Sequence, residues 1–248
     1  MTDNALAAIA TDHGVHISAQ TMHGPADDQR IDDWELKASR RALANLRELL
    51  YGAPMLELLD EQINDADRRM TRYLADSHGE FTATQVVLDV DGLSTSELFP
   101  VLRAIMAGAA GTDEQRRQAA LDMAFPCHPE HYALPPYVGV VETMGGIPTR
   151  SRVKVIDDAP EFVTRFADES YPLRVTGAGE LDDGEIFTYV LQQFKNTDTG
   201  MEANLRIWYP AACPPAYIEE HAQHYTVEFR NGCRLAAAHN RTLTAENE

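Results

Sequence analysis

The C-terminal part of the sequence contains HAQHYTVEFRN, in which His224 and Glu228 are four residues apart. On an α-helix, side chains at i and i+4 lie on one face, one turn from each other. An imidazole and a carboxylate at that spacing can bind one divalent metal ion, as in the HExxH pattern. His221 precedes His224 by one turn and can share this face. The alternative is a solvent-exposed helix face on which the His/Glu pair is incidental.

A second pair of histidines occurs in HPEH, where His128 and His131 are separated by Pro129 and Glu130. Because proline favours extended or turn conformations around it, the two imidazoles need not point the same way. Two exposed loop histidines are the alternative to a pair of metal or substrate contacts. Cys127 stands beside His128, but no nucleophile signature surrounds it.

Glu142 stands in YVGVVETM, an apolar segment typical of a β-strand. Strand alternation places Glu142 on one face with Val138, Val140 and Met144. An ionised carboxylate buried there costs several kcal/mol unless a cation pairs with it. The pattern leaves two partners open: a metal ion, or an arginine of the next strand.

Together these segments supply two histidines and two glutamates from separate parts of the chain. Neutral imidazoles and carboxylates suit Zn²⁺, while Mn²⁺ and Fe²⁺ are not excluded by ligand type. The sequence therefore predicts a metal site between a strand and the C-terminal helix.

Apolar periodicity indicates the elements that must position these residues. Residues 1–30 lack a period and are expected to form a loose lead-in. Two amphipathic helices follow, separated by GAP, and FTATQVVLDVDG predicts the first strand. Two short helices come next, the second capped by Thr112. Extended segments at 136–144, 149–157, 171–180, 185–195 and 201–209 precede a long helix that begins at Pro214 and Pro215.

This order predicts an α+β fold with a mainly antiparallel sheet. It is similar to the helix-grip, or START-like, fold, in which an antiparallel sheet wraps around a long C-terminal helix. Residues 1–80 are expected to be an N-terminal helical extension, with a possible role in a homodimer. Residues 81–248 are expected to be the helix-grip, metal-binding catalytic domain.

Composition excludes several classes of function. The chain has 248 residues and a formal net charge of -18, which argues against nucleic acid and anionic membranes as partners. The sequence contains no run of eighteen apolar residues, so it predicts no membrane span. Three cysteines without a CxxC pair fit a reducing, cytoplasmic compartment better than a disulfide framework.

Four short segments, CHPEHY, VVETMGG, NTDTGMEANLRIW and HYTVEFRN, occur in the order expected of one enzyme family. In these segments, within about residues 84–240, the chain resembles the phloretin hydrolase and 2,4-diacetylphloroglucinol hydrolase family. The resemblance implies a zinc enzyme with a helix-grip domain that hydrolyses the carbon–carbon bond between an acyl group and a polyphenol ring. Carried over residue by residue, the family's metal ligands fall on His128, Glu142, His224 and Glu228.

The resemblance also suggests roles around the metal. His131 is a candidate proton shuttle or phenol-binding group, and Glu142 is a candidate catalytic residue as well as a ligand. The residues expected to donate hydrogen bonds to a small aromatic or polyketide-like substrate are Tyr132, Tyr137 and Tyr189. Gln192 and Gln193 stand near the place where a second catalytic histidine is expected, so the metal site transfers better than the substrate site.

Two rival functions remain open at this level. One is a metal-free helix-grip protein that binds a hydrophobic or polyketide-like ligand. The other is a metal-dependent lyase or cyclase on the same scaffold. Metal content separates the first rival from the hydrolase, and substrate assays separate the second.

Overall fold

A computed structural model describes residues 17–134 and 139–246 of the chain. The chain divides into two compact units between Leu46 and Arg47. The smaller unit contains a two-stranded antiparallel hairpin of β1 (Ala19–Thr21) and β2 (Gly24–Ala26). The expectation of a loose lead-in is therefore wrong for this part, because the Thr21 hydroxyl bonds Gly24 O and the His23 N–H and stabilises the turn.

The helices occur close to where periodicity predicts them. They are α1 (Asp28–Leu49), α2 (Ala53–Ser77), α3 (Thr95–Ala109), α4 (Asp113–Ala119), the single turn α5 (Phe125–Cys127), α6 (Glu161–Thr164) and α7 (Pro215–Glu246). Gly52, with φ +79°, separates α1 from α2, as the GAP break predicts. Thr112 forms a capping box with Gln115 at the start of α4. None of the helices in the described ranges is long and apolar enough to cross a membrane.

Seven strands form one antiparallel sheet. They are β3 (Phe81–Asp91), β4 (His131–Ala133), β5 (Gly139–Met144), β6 (Ile147–Val155), β7 (Leu173–Glu180), β8 (Ile186–Asn196) and β9 (Gly200–Pro210), in the spatial order β3-β9-β8-β7-β6-β5-β4. The predicted turn between β5 and β6 is made by Gly145 and Gly146, both with positive φ. Strand β4 and helix α6 are too short to show a period, and the sequence does not predict them.

The C-terminal helix α7 contacts β3 at one edge of the sheet and β5 near the other. One helix reaches both strands because the sheet curves around it, so the predicted helix-grip fold is confirmed. Phe194, Met201 and Leu205 of the sheet pack in one core with Tyr225 and Cys233 of α7.

Helix α2 packs against β6 and belongs to the larger compact unit. Met55 and Ile63 of α2 share a buried cluster with Ala133 and Val141 of the sheet. The structural boundary therefore falls at Leu46–Arg47. The division at residue 80 into a helical extension and a catalytic domain stays a prediction about function.

Candidate metal centre

His131 is positioned by an irregular helical segment. After α4 the chain widens into a π-helix, Ala120–Ala124, before α5 and β4. The last carbonyl of this segment, Ala124 O, lies 2.7 Å from His131 Nδ1. A carbonyl only accepts, so Nδ1 carries a proton and Nε2 is the nitrogen left to bind a metal ion, once its own proton is displaced. This bond to a carbonyl is the usual way in which proteins orient a metal-binding imidazole.

The loop that carries His128 is held by two side chains that bind its carbonyls. Arg47 donates hydrogen bonds to Phe125 O at 3.1 Å, to His128 O at 3.3 Å and to Pro129 O. Asn231 Nδ2 donates to the carbonyl of the neighbouring Cys127 at 2.8 Å. Arg47 is 4% exposed, and burial lowers its pKa to about 10. Arg47 and Asn231 together therefore hold four backbone carbonyls between residues 125 and 129.

The register of the sheet decides the partner of Glu142. Glu142 lies opposite His131 of β4 on one side and opposite Thr149 of β6 on the other. Arg150 and Arg152 pair with Val141 and Gly139, and residues paired across an antiparallel sheet share a face. The two arginines therefore lie on the opposite face from Glu142, which excludes an arginine partner.

Arg150 has acidic partners on that opposite face. Its guanidinium forms an ion pair with Asp182 and lies 3.7 Å from Asp67 of α2. Glu142, 8% exposed, instead meets two imidazoles, His131 and His224.

Three ligand-type atoms from β4, β5 and α7 lie close together. His131 Nε2 is 3.1 Å from Glu142 Oε2 and 3.1 Å from His224 Nε2, and His224 Nε2 is 3.3 Å from Glu142 Oε2. Ligand atoms bound at about 2.0–2.1 Å to a tetrahedral ion are about 3.3–3.4 Å apart. The three atoms thus have nearly the spacing of ligands that share one ion. Glu228 Oε1 lies 3.8 Å from His131 Nε2 and completes the group.

The charges in this cluster favour an ionised carboxylate beside protonated imidazoles. Burial opposes ionisation of Glu142, but hydrogen bonds from His131 and His224 outweigh it and hold the pKa of Glu142 well below its usual range. Burial likewise opposes protonation of both histidines, yet Glu142 and Glu228 raise the pKa of each. Burial also raises the pKa of Glu228. Protons therefore occupy the lone pairs that a metal ion would use, and metal binding has to displace them.

His128 lies beside this cluster in a different state. Its ring stacks on His224 with 3.6 Å between centroids, and the three histidines 128, 131 and 224 can offer ligand atoms within 4.8 Å of one another. However, His128 Nδ1 accepts a hydrogen bond from the Glu130 N–H at 3.1 Å. When neutral, the ring then carries its proton on Nε2. Burial, followed by the charges of His224 and His131, lowers the pKa of His128 to about 3.

His221 shares the helix face, as the spacing predicts. Its ring is stacked almost parallel to His224, at 5.2 Å, and packs against Tyr209 and Tyr225. Burial lowers its pKa to about 4, so it is neutral at pH 7.

A cavity of about 70 Å³ adjoins the cluster at Glu228. Among the described residues its wall comes from α3, from Met123 of the π-helix, from Cys127 and from α7 at Phe229 and Gly232. Burial raises the pKa of the Cys127 thiol to about 12, so it is no thiolate at pH 7.

The tyrosines proposed as substrate contacts are not brought to this cluster. The Tyr132 hydroxyl bonds Thr143 Oγ1 at 3.1 Å, and its ring packs with α2, on the face of β5 opposite to Glu142. Tyr189 packs against Phe81 and Phe162 in a separate aromatic cluster. Tyr137 lies outside the described residues.

Sequence reasoning missed Arg47 and Asn231 as residues that position the site. A signal for Arg47 was present, because it lies four residues after Leu43 and three before Leu50, on the apolar face of a helix. No sequence signal pointed to the Ala124 carbonyl, which depends on the π-helix.

Comparison with known proteins adds little to this description. No protein-family model and no curated protein matches the chain. Among solved structures, the Mesorhizobium loti protein MLL2253 is 10% identical, with 62% of this chain and 96% of that chain covered and a TM-score of 0.36. Ara h 8.0201 is 10% identical, with 64% and 97% covered and a TM-score of 0.37.

An uncharacterised protein of Rhizobium leguminosarum is 16% identical, with 63% and 97% covered and a TM-score of 0.34. Likenesses this distant carry no argument about function.

Proposed function

We propose that this protein is a zinc-dependent hydrolase that cleaves the carbon–carbon bond between an acyl group and a polyphenol ring. The observation that carries the proposal is the buried set of His131, His224 and Glu142, whose ligand atoms lie 3.1–3.3 Å apart. The reaction proposed here is the one implied by the four sequence segments that resemble the phloretin hydrolase family. Three of these segments contribute residues to this cluster.

The ligand set that the geometry favours differs in one residue from the set that the resemblance implies. His131 donates its Nδ1–H to Ala124 O, and its Nε2 lies beside Glu142 and His224, where loss of the Nε2 proton would free a lone pair for a metal ion. His128 accepts at Nδ1 and therefore lacks a free lone pair on Nε2. We assign His131, Glu142 and His224 as ligands and Glu228 as a fourth, more distant one.

This arrangement suits a catalytic rather than a purely structural ion. Catalytic zinc sites usually have three protein ligands and a fourth position for water or substrate. The Glu228 side chain is 31% exposed, and its oxygen lies 3.8 Å from His131. Glu228 would therefore hold a bound ion less closely than the other three residues would. A bound zinc ion supplies a Lewis acid for a carbonyl or phenol oxygen and a source of activated water.

The side chains around the ion have separate tasks. Glu142 remains an ionised acceptor, since its pKa is held well below the usual range, and acts as a ligand rather than as a proton donor. Glu228, whose pKa is raised by burial, can carry a proton at its carboxyl group beside the cavity. Hydrolysis requires a proton on the departing ring carbon, and we assign its delivery to Glu228, which adjoins both His131 and the cavity. Neutral His128 offers its Nε2–H to a phenol oxygen.

The test is metal analysis of the purified full chain by inductively coupled plasma mass spectrometry, followed by assays with acylphloroglucinols. We expect about one zinc per chain in the wild type and loss of zinc in His131→Ala, Glu142→Ala and His224→Ala. His128→Ala should retain zinc and lose activity. His239→Ala, at an exposed position of the same helix, is the matched control and should change neither.

Two results would replace this proposal, and a third would revise its ligand set. No stoichiometric metal, even after reconstitution, would favour the metal-free binding protein. Stoichiometric metal with no cleavage of any acylphloroglucinol would favour a lyase or cyclase on this scaffold. Loss of zinc in His128→Ala but not in His131→Ala would restore the ligand set that the resemblance implies.

A further inference from the structure

The cavity beside Glu228 has a definite position relative to the proposed metal ligands. His224, Glu228 and Gly232 succeed one another at intervals of four residues along α7 and so lie on one face of the helix. Each interval corresponds to about 6 Å along the helix axis. Glu228 adjoins the ligand set through His131, and Gly232 lines the cavity one turn further on.

The wall of the cavity selects an apolar occupant. Leu98, Val101 and Leu102 of α3 line one side, and Met123 of the π-helix closes another. Leu98 and Val101 are 1% and 4% exposed, so this wall is core material. Glu228 is the one ionisable carboxylate among the described lining residues, and it stands at the end nearest the ligand set. An acyl group has two matching parts: its carbonyl group would lie at the Glu228 end of the cavity, and its aliphatic chain would lie against the apolar wall.

The volume of the cavity limits the length of that chain. An apolar protein cavity of about 150 Å³ holds one benzene molecule. The cavity here is about 70 Å³, which corresponds to about three carbon atoms and excludes an aromatic ring.

Gly232 controls this volume. A Cβ atom built at Gly232 meets only Cys127 Sγ, at 3.8 Å, which is ordinary van der Waals contact. A side chain at this position can therefore extend into the cavity without a clash at its first atom.

We propose that this cavity is the acyl-chain site of the enzyme, and that it selects straight aliphatic acyl groups of two to four carbons, carbonyl carbon included. This inference rests on the proposed hydrolase function for its meaning, but the occupancy of the cavity can be measured without turnover. The ring of the substrate then lies outside this cavity, which is too small to hold it. Gly232 is a specificity-determining residue, not a catalytic one.

The binding test uses pentan-2-one as the probe and methyl-resolved NMR of the full-length protein. Methyl signals of Leu98, Val101 and Met123 should shift on titration, while that of Val163, buried in a different cluster, should not. Gly232→Val should weaken the binding at least tenfold. Gln223→Val, which places the same side chain at an exposed position of α7, should leave it unchanged.

The kinetic test compares acetyl-, butyryl- and octanoylphloroglucinol as substrates. We expect the wild type to cleave the first two and to cleave the octanoyl compound at least a hundredfold more slowly. Gly232→Val should lower kcat/KM for the butyryl compound at least tenfold relative to the acetyl compound, with unchanged zinc content.

The outcomes separate this inference from the proposed function. If pentan-2-one shifts no methyl group of the cavity, or binds Gly232→Val as well as it binds the wild type, the inference is wrong even when acylphloroglucinols are cleaved. If pentan-2-one binds as expected but no acylphloroglucinol is cleaved, the cavity still accepts a short aliphatic chain and the hydrolase function is wrong.

Discussion

Replacement of Arg47 by methionine tests whether the loop that carries His128 is held by one buried guanidinium. Arg47 donates hydrogen bonds to three backbone carbonyls, of Phe125, His128 and Pro129. Hydrogen bonds to charged groups contribute about 1.5–3 kcal/mol each, so their combined loss costs about 6 kcal/mol. Methionine retains the apolar length of the side chain and removes only the donors and the charge.

Part of this cost is returned because the buried cation is removed as well. Burial lowers the pKa of Arg47 from 12.5 to about 10, which corresponds to about 3 kcal/mol of unfavourable desolvation. The expected loss in free energy of unfolding is therefore about 3 kcal/mol. The carbonyl of Cys127 keeps its bond from Asn231, so the loop is loosened and not released.

The assay is urea unfolding of Arg47→Met at pH 7 beside the wild type and Arg41→Met, an exposed position on the same helix. With a slope of about 2–3 kcal/mol per molar urea, the midpoint should fall by about 1–1.5 M without a change in slope. Arg41→Met should stay within about 0.5 kcal/mol of the wild type. A loss below about 1 kcal/mol in Arg47→Met would refute the reasoning, because the carbonyls would then be satisfied by other donors.

Three further predictions concern the same unit of the structure. Gly145→Ala should cost about 2–4 kcal/mol in urea unfolding, because Gly145 has φ +62° and an added Cβ would lie 2.0 Å from the ring of Tyr217. Gly146→Ala is the control: Gly146 has φ +75° and no atom near its Cβ, so this change should cost only about 1 kcal/mol. Equal losses in the two variants would contradict the packing argument. His221 should lower the free energy of unfolding of the metal-free protein by about 3 kcal/mol as the pH falls from 6.5 to 4. Its pKa in the folded protein is about 4, so only the unfolded chain binds the proton in that range of pH. His221→Phe should lack this contribution, and parallel plots of stability against pH for the two proteins would contradict the prediction. Zinc at one hundred times its dissociation constant should raise the free energy of unfolding by about 2.7 kcal/mol in the wild type and leave that of His131→Ala unchanged. Thermal unfolding with and without a chelator measures this difference. An equal rise in both proteins would mean that the zinc binds elsewhere.

Much of the fold was predictable because it depends on local patterns. The spacing of leucines predicts α1 and α2, and alternation with turn residues predicts the long strands. Gly145 and Gly146 mark a hairpin that only residues tolerant of positive φ make readily. The hairpin at 19–26, the strand β4 and the π-helix were not predictable, since segments of three to five residues carry no period of their own.

The candidate site divides in the same way. The spacing of His224 and Glu228 on a helix, and the unusual placement of Glu142 in an apolar strand, identified these residues from the sequence alone. The sequence left an arginine partner for Glu142 open, and the register of β5 with β6 excluded it, because Arg150 lies opposite Val141 and on the other face. Register depends on long-range pairing that no single segment encodes.

By itself the sequence determined which residue types are available for a metal, which elements carry them and that those elements form an antiparallel sheet with a long helix. Only the tertiary structure showed which backbone group each histidine of HPEH contacts: Ala124 O accepts a hydrogen bond from Nδ1 of His131, and the Glu130 N–H donates one to Nδ1 of His128. It likewise decided that Tyr132 and Tyr189 pack away from the cluster. Local spacing defines which side chains share a face of one element, whereas hydrogen-bond partners and cavities arise where separate elements meet.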